Sequence, residues 1–162
     1  AARWLRMTAD QEHVGGQYLL GRMYYEGHGV RKNFKEAIRW YRLAADQGYA
    51  MAQGSLGFMY DNGEGVPEND REAVRWYRLA AEQGNANAQY SLGVMYANGE
   101  GVKRDYVLAY MWTNLAASQK TGVDRKMSVE LRDSLEKKIK RQQIAEAQRL
   151  AREFKPKRSG SQ

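Results

Sequence analysis

The 162-residue chain has no cysteine, two prolines, two histidines and no long apolar run. Each shortage closes a class of explanation. Without cysteine there is no disulfide framework, no thiol nucleophile and no cysteine-ligated zinc, and the absence suits a reducing and an oxidising compartment equally. No stretch approaches the roughly 18 apolar residues that a membrane-spanning helix needs. The opening AARWLRMTAD also lacks the apolar centre and small-residue cleavage site of a secretory signal. His13 and His28 have no second ligand at a metal-binding spacing, so no metal and no cofactor is expected. What the chain does have is the material of one modest globular unit: 43% hydrophobic and 28% charged residues.

Two quantities are in excess: sixteen glycines, and a formal net charge of +7. Self-comparison accounts for the glycines. QYLLGRMYYEGHGV, QGSLGFMYDNGEGV and QYSLGVMYANGEGV begin at Gln17, Gln53 and Gln89, a spacing of 36 residues both times. Leu20/Leu56/Leu92, Gly21/Gly57/Gly93, Met23/Met59/Met95 and Tyr24/Tyr60/Tyr96 stay in register, as do Gly27/Gly63/Gly99 and Val30/Val66/Val102. The register continues through Ala37/Ala73/Ala109, Trp40/Trp76/Trp112 and Leu43/Leu79/Leu115. A period of this length marks a stacked repeat architecture.

Each unit reads as two helices. Helix A is expected at about 14–25, 50–60 and 86–97. Helix B, from Phe34 to Gln47 in the first unit, is preceded by Asn33 with Glu36 three residues on, and Asn69 and Glu72 repeat the arrangement. Gly48 and Gly84 sit where a left-handed residue closes a helix. Ala37, Trp40 and Ala44 recur at helical spacing as a buried stripe in which small alanines admit a large indole. The G-x-G-V segment turns the chain between helices, its valine serving as a buried plug. One such pair cannot cover its own apolar face, so the units are expected to stack into an all-α solenoid.

The pattern A-x-Q-x-x-LG-x-M-Y-x-x-G-x-GV, continuing through WY-x-x-AA-x-QG and seen from Ala52 to Gly84, resembles the Sel1-like repeat family, relatives of the tetratricopeptide repeat. The resemblance covers nearly the whole chain. It implies an α/α superhelix and a non-enzymatic interaction module with a protein or peptide partner, in bacterial envelope, exported or signalling assemblies. Trp4, Arg6, Ala9 and Gln11 match Trp40, Arg42, Ala45 and Gln47, so residues 1–13 read as helix B of a preceding unit, with three repeats over 14–119. After Gln119 the glycine signal ceases. Residues 120–154 are expected to form a capping hairpin, with helices over 123–138 and 141–154, and 155–162 a basic disordered tail.

The charge lies in that last part. Residues 1–119 hold 13 basic and 13 acidic side chains, whereas residues 120–162 hold 13 and 6. A neutral repeat surface argues against a nucleic-acid groove, and the KKIKR run at 137–141 with the KPKR tail is the alternative surface for an acidic partner or nucleic acid. Ser134 and Lys137 match the S-x-x-K of penicillin-recognising enzymes, without the S-D-N and K-T-G that accompany it. The stretch from Asp61 to Glu72 has glycines where a calcium loop needs ligands.

Candidate binding residues are those that differ between units while sharing one face of helix A. These are Met51 and Asn87 opposite Gly15, Tyr18 and Tyr90 opposite Gly54, and Arg22, Phe58 and Val94 at a third position. Tyr25 and Asp61 stand opposite Ala97, and Glu26, Asn62 and Asn98 complete the set. In the tetratricopeptide-like architecture implied by the resemblance, this stripe lines the concave surface. Aromatic anchors with a polar surround are what a peptide interface uses.

Overall fold

Asn33, Asn69 and Asp105 each halt an extended stretch and start a helix with the side-chain oxygen. Asn33 accepts from the Lys35 and Glu36 amides, Asn69 from Glu72, and Asp105 from Val107 and Leu108. In the computed structural model, which describes residues 13–119 and 122–158, these caps open three of eight helices. The helices are α1 (Val14–Glu26), α2 (Phe34–Asp46), α3 (Ala50–Asn62), α4 (Asp70–Glu82), α5 (Ala86–Asn98), α6 (Tyr106–Ser118), α7 (Gly122–Glu136) and α8 (Arg141–Glu153). No strand occurs among the described residues. Apart from His13, the expected partial repeat at 1–13 lies outside them.

Successive helices pack as antiparallel pairs, α1 with α2, α3 with α4, α5 with α6, and the second member of each pair packs on the first of the next. The fold is therefore an all-α solenoid. Its core is a column of repeated side chains: Ala37, Trp40 and Ala44 are buried, as are Ala73, Trp76 and Ala80. The indole N–H groups of Trp40 and Trp76 have no hydrogen-bond partner among the described residues, so these rings are kept for their volume. Gly21 and Gly57 have a specific cause. A Cβ at Gly57 would lie 2.5 Å from a ring carbon of Tyr77, and one at Gly21 2.6 Å from Tyr41, so the tyrosine of helix B rests where helix A has no side chain.

Polar links stitch the units together at the same period. Gln53 Nε2 donates to the Ala45 carbonyl and Gln89 Nε2 to that of Ala81, both at 3.2 Å. Gln47 reaches back to Gln17 and Gln83 to Gln53, each at 2.7 Å. Arg42 donates to the Tyr60 hydroxyl and Arg78 to that of Tyr96. The third unit breaks the series. Gln119, followed by lysine instead of glycine, turns into extended backbone and donates to the Gly84 carbonyl, leaving the buried Gln89 Oε1 without a partner among the described residues.

Several expectations need adjustment. Helix A runs on to Glu26, Asn62 and Asn98, stopped by Gly27, Gly63 and Gly99 at φ of 81°, 66° and 80°. Helix B stops at Asp46 and Glu82, with Gln47 and Gln83 as caps. Val30, Val66 and Val102 are half-buried rather than enclosed, because the turn they anchor lies at the edge of the stack. Leu43 and Leu79 repeat yet remain 42% and 38% exposed, whereas Leu115 packs against the core.

Helix α7 begins 36 residues after α5, and α8 begins 35 after α6, so the period continues where its sequence signal has gone. Instead of closing on each other as a hairpin, both pack on α6. Tyr110 lies between them, donating to Glu136 Oε1 at 2.6 Å and accepting from Gln148. The expected disordered tail is docked over its described part. The Phe154 ring meets Trp112 edge-on at 5.5 Å, Pro156 lies over Gly84, and Lys157 donates its amide to the Glu82 carbonyl at 2.8 Å. Its ammonium also meets the Glu82 carboxylate at 2.6 Å. A helix C-terminus offers unpaired carbonyls and partial negative charge, and a basic extended segment satisfies both.

Candidate functional site

Because helix A repeats by translation, its outward stripe from three units forms one groove along α1, α3 and α5, with a volume of about 320 Å³. Tyr18 and Tyr25 of α1 form one wall, Met51 and Phe58 of α3 rise within it, and Asn87 of α5 stands opposite. Met51 and Phe58 are 47% and 45% exposed, a large apolar area left in water. Tyr18 is itself buried, its ring 5.6 Å from Tyr41 and 5.3 Å from Tyr49, so it supports the wall more than it offers a free surface.

The other expected residues lie outside this lining. Arg22 and Glu26 are paired at 3.4 Å, and Glu26 also meets His28 at 2.7 Å. Asn62 donates to the Phe58 carbonyl of its own helix and Asn98 to Glu100. Tyr90 and Val94 are half-buried on α5. Asp61 stands one turn beyond Phe58 and accepts a hydrogen bond from the Tyr77 hydroxyl at 3.2 Å.

Sequence reasoning missed the floor. Tyr41 and Tyr77, from helices α2 and α4, reach the groove through the gaps at Gly21 and Gly57, with Ser55 and Ser91 beside their hydroxyls. They lie on helix B, outside the helix A positions from which the candidate set is drawn. The signal was their loss in the third unit, where Thr113 follows Trp112, turns its hydroxyl to the Ala109 carbonyl and leaves no ring to extend the floor.

Burial pushes the Tyr41 and Tyr77 hydroxyls well above the ordinary phenol range, with the Asp61 charge adding to the shift at Tyr77. Tyr25 is raised by burial and by its hydrogen bond to Glu64. All three remain proton donors. Burial likewise raises the Asp61 carboxyl, and Asp70, Glu100 and Glu68 add to it, against the opposing hydrogen bond from Tyr77. Such a surface can grip apolar side chains and exchange hydrogen bonds with a backbone. Ser134 and Lys137 lie exposed near the end of α7. No group of three metal-ligating side chains occurs among the described residues.

Three copies of the Sel1 repeat are recognised, at residues 14–49, 50–85 and 86–120. The chain is similar to a solved structure of a protective antigen, c5321, from uropathogenic Escherichia coli strains, which displays an SLR fold. The two share 31% identity over 94% of this chain and 40% of that one, at a TM-score of 0.71. It is also similar to a Sel1 repeat protein from Oxalobacter formigenes, at 42% identity over 80% of this chain and 95% of that one, with a TM-score of 0.71. The chain thus spans 40% of the length of the first of these relatives. No curated protein matches it.

Proposed function

The chain belongs to the Sel1 repeat family, and from that membership we propose that it is an interaction module holding a segment of another polypeptide in the groove along α1, α3 and α5. Sel1-repeat proteins generally mediate protein–protein interaction, and their fold is typically a non-catalytic scaffold. The observation that carries the groove assignment is the adjacent exposure of Met51 and Phe58 above a floor of buried tyrosines. Apolar side chains cost free energy when left in water, and a partner that covers them recovers about 25 cal/mol per Å². The tyrosine hydroxyls and Asn87 provide the directional contacts that fix a bound backbone.

A photoreactive phenylalanine analogue placed at Phe58, with a second placed at Leu43 on helix B, tests the assignment. Crosslinking of a polypeptide partner from position 58 and not from 43 is the expected result. A partner captured equally from both positions, or retained in full by a Met51→Ser/Phe58→Ser variant, would overturn it.

A further inference from the structure

Resting on the groove assignment, we infer that the bound segment inserts a phenylalanine or tyrosine side chain into a notch at Gly54, between Met51 and Phe58 and against Asn85. The repeat itself shows what belongs there. At the first junction between units, Tyr18 of α1 is buried against Tyr49, the residue that precedes α3, with ring centres 5.3 Å apart. One period on, the same two positions hold Gly54 and Asn85, and they are again neighbours: a Cβ at Gly54 would lie 3.9 Å from the Asn85 side-chain amide. Two rings are absent from one place. The third unit has Tyr90 at the helix A position, so the second unit alone lacks its ring there.

The place is open to a ligand. Gly54 is only partly buried, and it lines the groove together with Asn85, Met51 and Phe58. Tyr77 beneath is 3% exposed, as is Tyr41 under Tyr18, so the entering ring lies over the Gly54 backbone and the Asn85 amide and not on the tyrosine floor. Met51, three residues before Gly54, and Phe58, four after it, share its helix face and form the two sides of the notch. A thioether and an aromatic ring both gain from contact with a second ring beyond what area burial supplies, which favours an aromatic occupant over an aliphatic one. Asn85 is held in place as the cap of α5, its Oδ1 accepting from the Ala88 amide at 3.0 Å. Its Nδ2 has no partner among the described residues and can donate to a backbone carbonyl of the segment.

The test is a phage-displayed library of random twelve-residue peptides selected on the intact chain, with a synthetic copy of the best binder measured by fluorescence anisotropy. Expected are peptides that share a Phe or Tyr, whose replacement by Leu weakens binding about three- to tenfold. Gly54→Tyr, which builds the ring into the chain, should lower affinity about tenfold or more while keeping the helical circular dichroism and a urea midpoint no lower than wild type. Gly54→Ala leaves the notch open and should bind nearly as the wild type does. Peptides without a common aromatic residue, a ring replaced by Leu without loss, undiminished binding to Gly54→Tyr, or a Gly54→Tyr chain that fails to fold would overturn this inference, the last because the notch would then have no room for a ring. If binding is still abolished by Met51→Ser/Phe58→Ser, the groove assignment survives. No enrichment, or binding indifferent to Met51→Ser/Phe58→Ser, would overturn both.

Discussion

Replacing Gly57 by alanine sets two effects of known sign against each other. In a helix interior, glycine to alanine gains about 1 kcal/mol from reduced backbone freedom in the unfolded chain. At this position the added Cβ would stand 2.5, 2.8 and 2.9 Å from Cδ1, Cε1 and Cγ of Tyr77, where carbon atoms prefer about 3.5–4.0 Å. The ring has little freedom to retreat, being 3% exposed and tied through its hydroxyl to Asp61. Either α3 and α4 separate by about 1 Å or the ring leaves its rotamer, and overpacking of this kind costs about 1–3 kcal/mol, sometimes more. Contact should win, giving net destabilisation of up to about 2 kcal/mol. Gly54, one turn away in the same helix, is the control: its nearest neighbours would be Asn85 at 3.9 Å and the Ala80 Cβ at 4.0 Å. Gly54→Ala should therefore stabilise, by about 0.5–1 kcal/mol. Urea unfolding followed by circular dichroism reads both, and adding Tyr77→Ala to Gly57→Ala should cost less than the two single losses combined. Gly57→Ala at or above wild-type stability, or Gly54→Ala as damaging as Gly57→Ala, would refute the close-approach account of the repeated glycine.

Three further outcomes are expected. Trp76→Ala, at a site 5% exposed, should cost about 3–5 kcal/mol in the same unfolding assay, and a loss below about 1 kcal/mol would contradict its place in the core. Asp61 has a folded-state pKa above its unfolded one, so the fold binds its proton more tightly; wild-type stability should fall, relative to Asp61→Asn, as pH rises from the ordinary carboxylate range through the raised value. A difference that is flat or rises with pH over that window would show that Asp61 is not held in a desolvated, anionic site. Lys157→Ala should remove about 0.3–1 kcal/mol, diminishing with salt, because the pair with Glu82 is largely exposed on the lysine side; no change at low salt would mean that the ion pair contributes nothing to docking.

Legibility in the sequence followed repetition. The helix pairs, their caps at Asn33 and Asn69 and the indole stripe were readable because three copies present the same physical solution, which makes accidental agreement negligible. Recurrence does not separate burial from exposure: Tyr41 and Tyr77 recur in two units and are at once buried and part of a groove floor, while Leu43 and Leu79 recur and remain exposed. Variation found Met51, Phe58 and Asn87, but it could not separate a groove residue from Arg22 or Asn98, whose side chains turn to neighbours on their own helix or the next turn. The cap was hardest. Helices α7 and α8 keep the period of the array by packing on α6 with unrelated side chains, and geometry imposed by a neighbour leaves no motif to read.

The return of Lys157 to Glu82 joins residues 75 positions apart. In an open stack each pair touches only its neighbours, and the last can peel away by itself. Here α4, α6 and α8 belong to a closed circuit, so the end can fray only by opening a latch that engages Phe154, Pro156 and Lys157 together. The receiving corner is written in repeat positions: Glu82 and Gly84 recur as Asp46 and Gly48, with the glycines at φ of 88° and 85°. Removing the whole unit at 50–85 would hand the tail an acid and a glycine in the same places. An array shortened by that full period is thus expected to keep the fastening at its end.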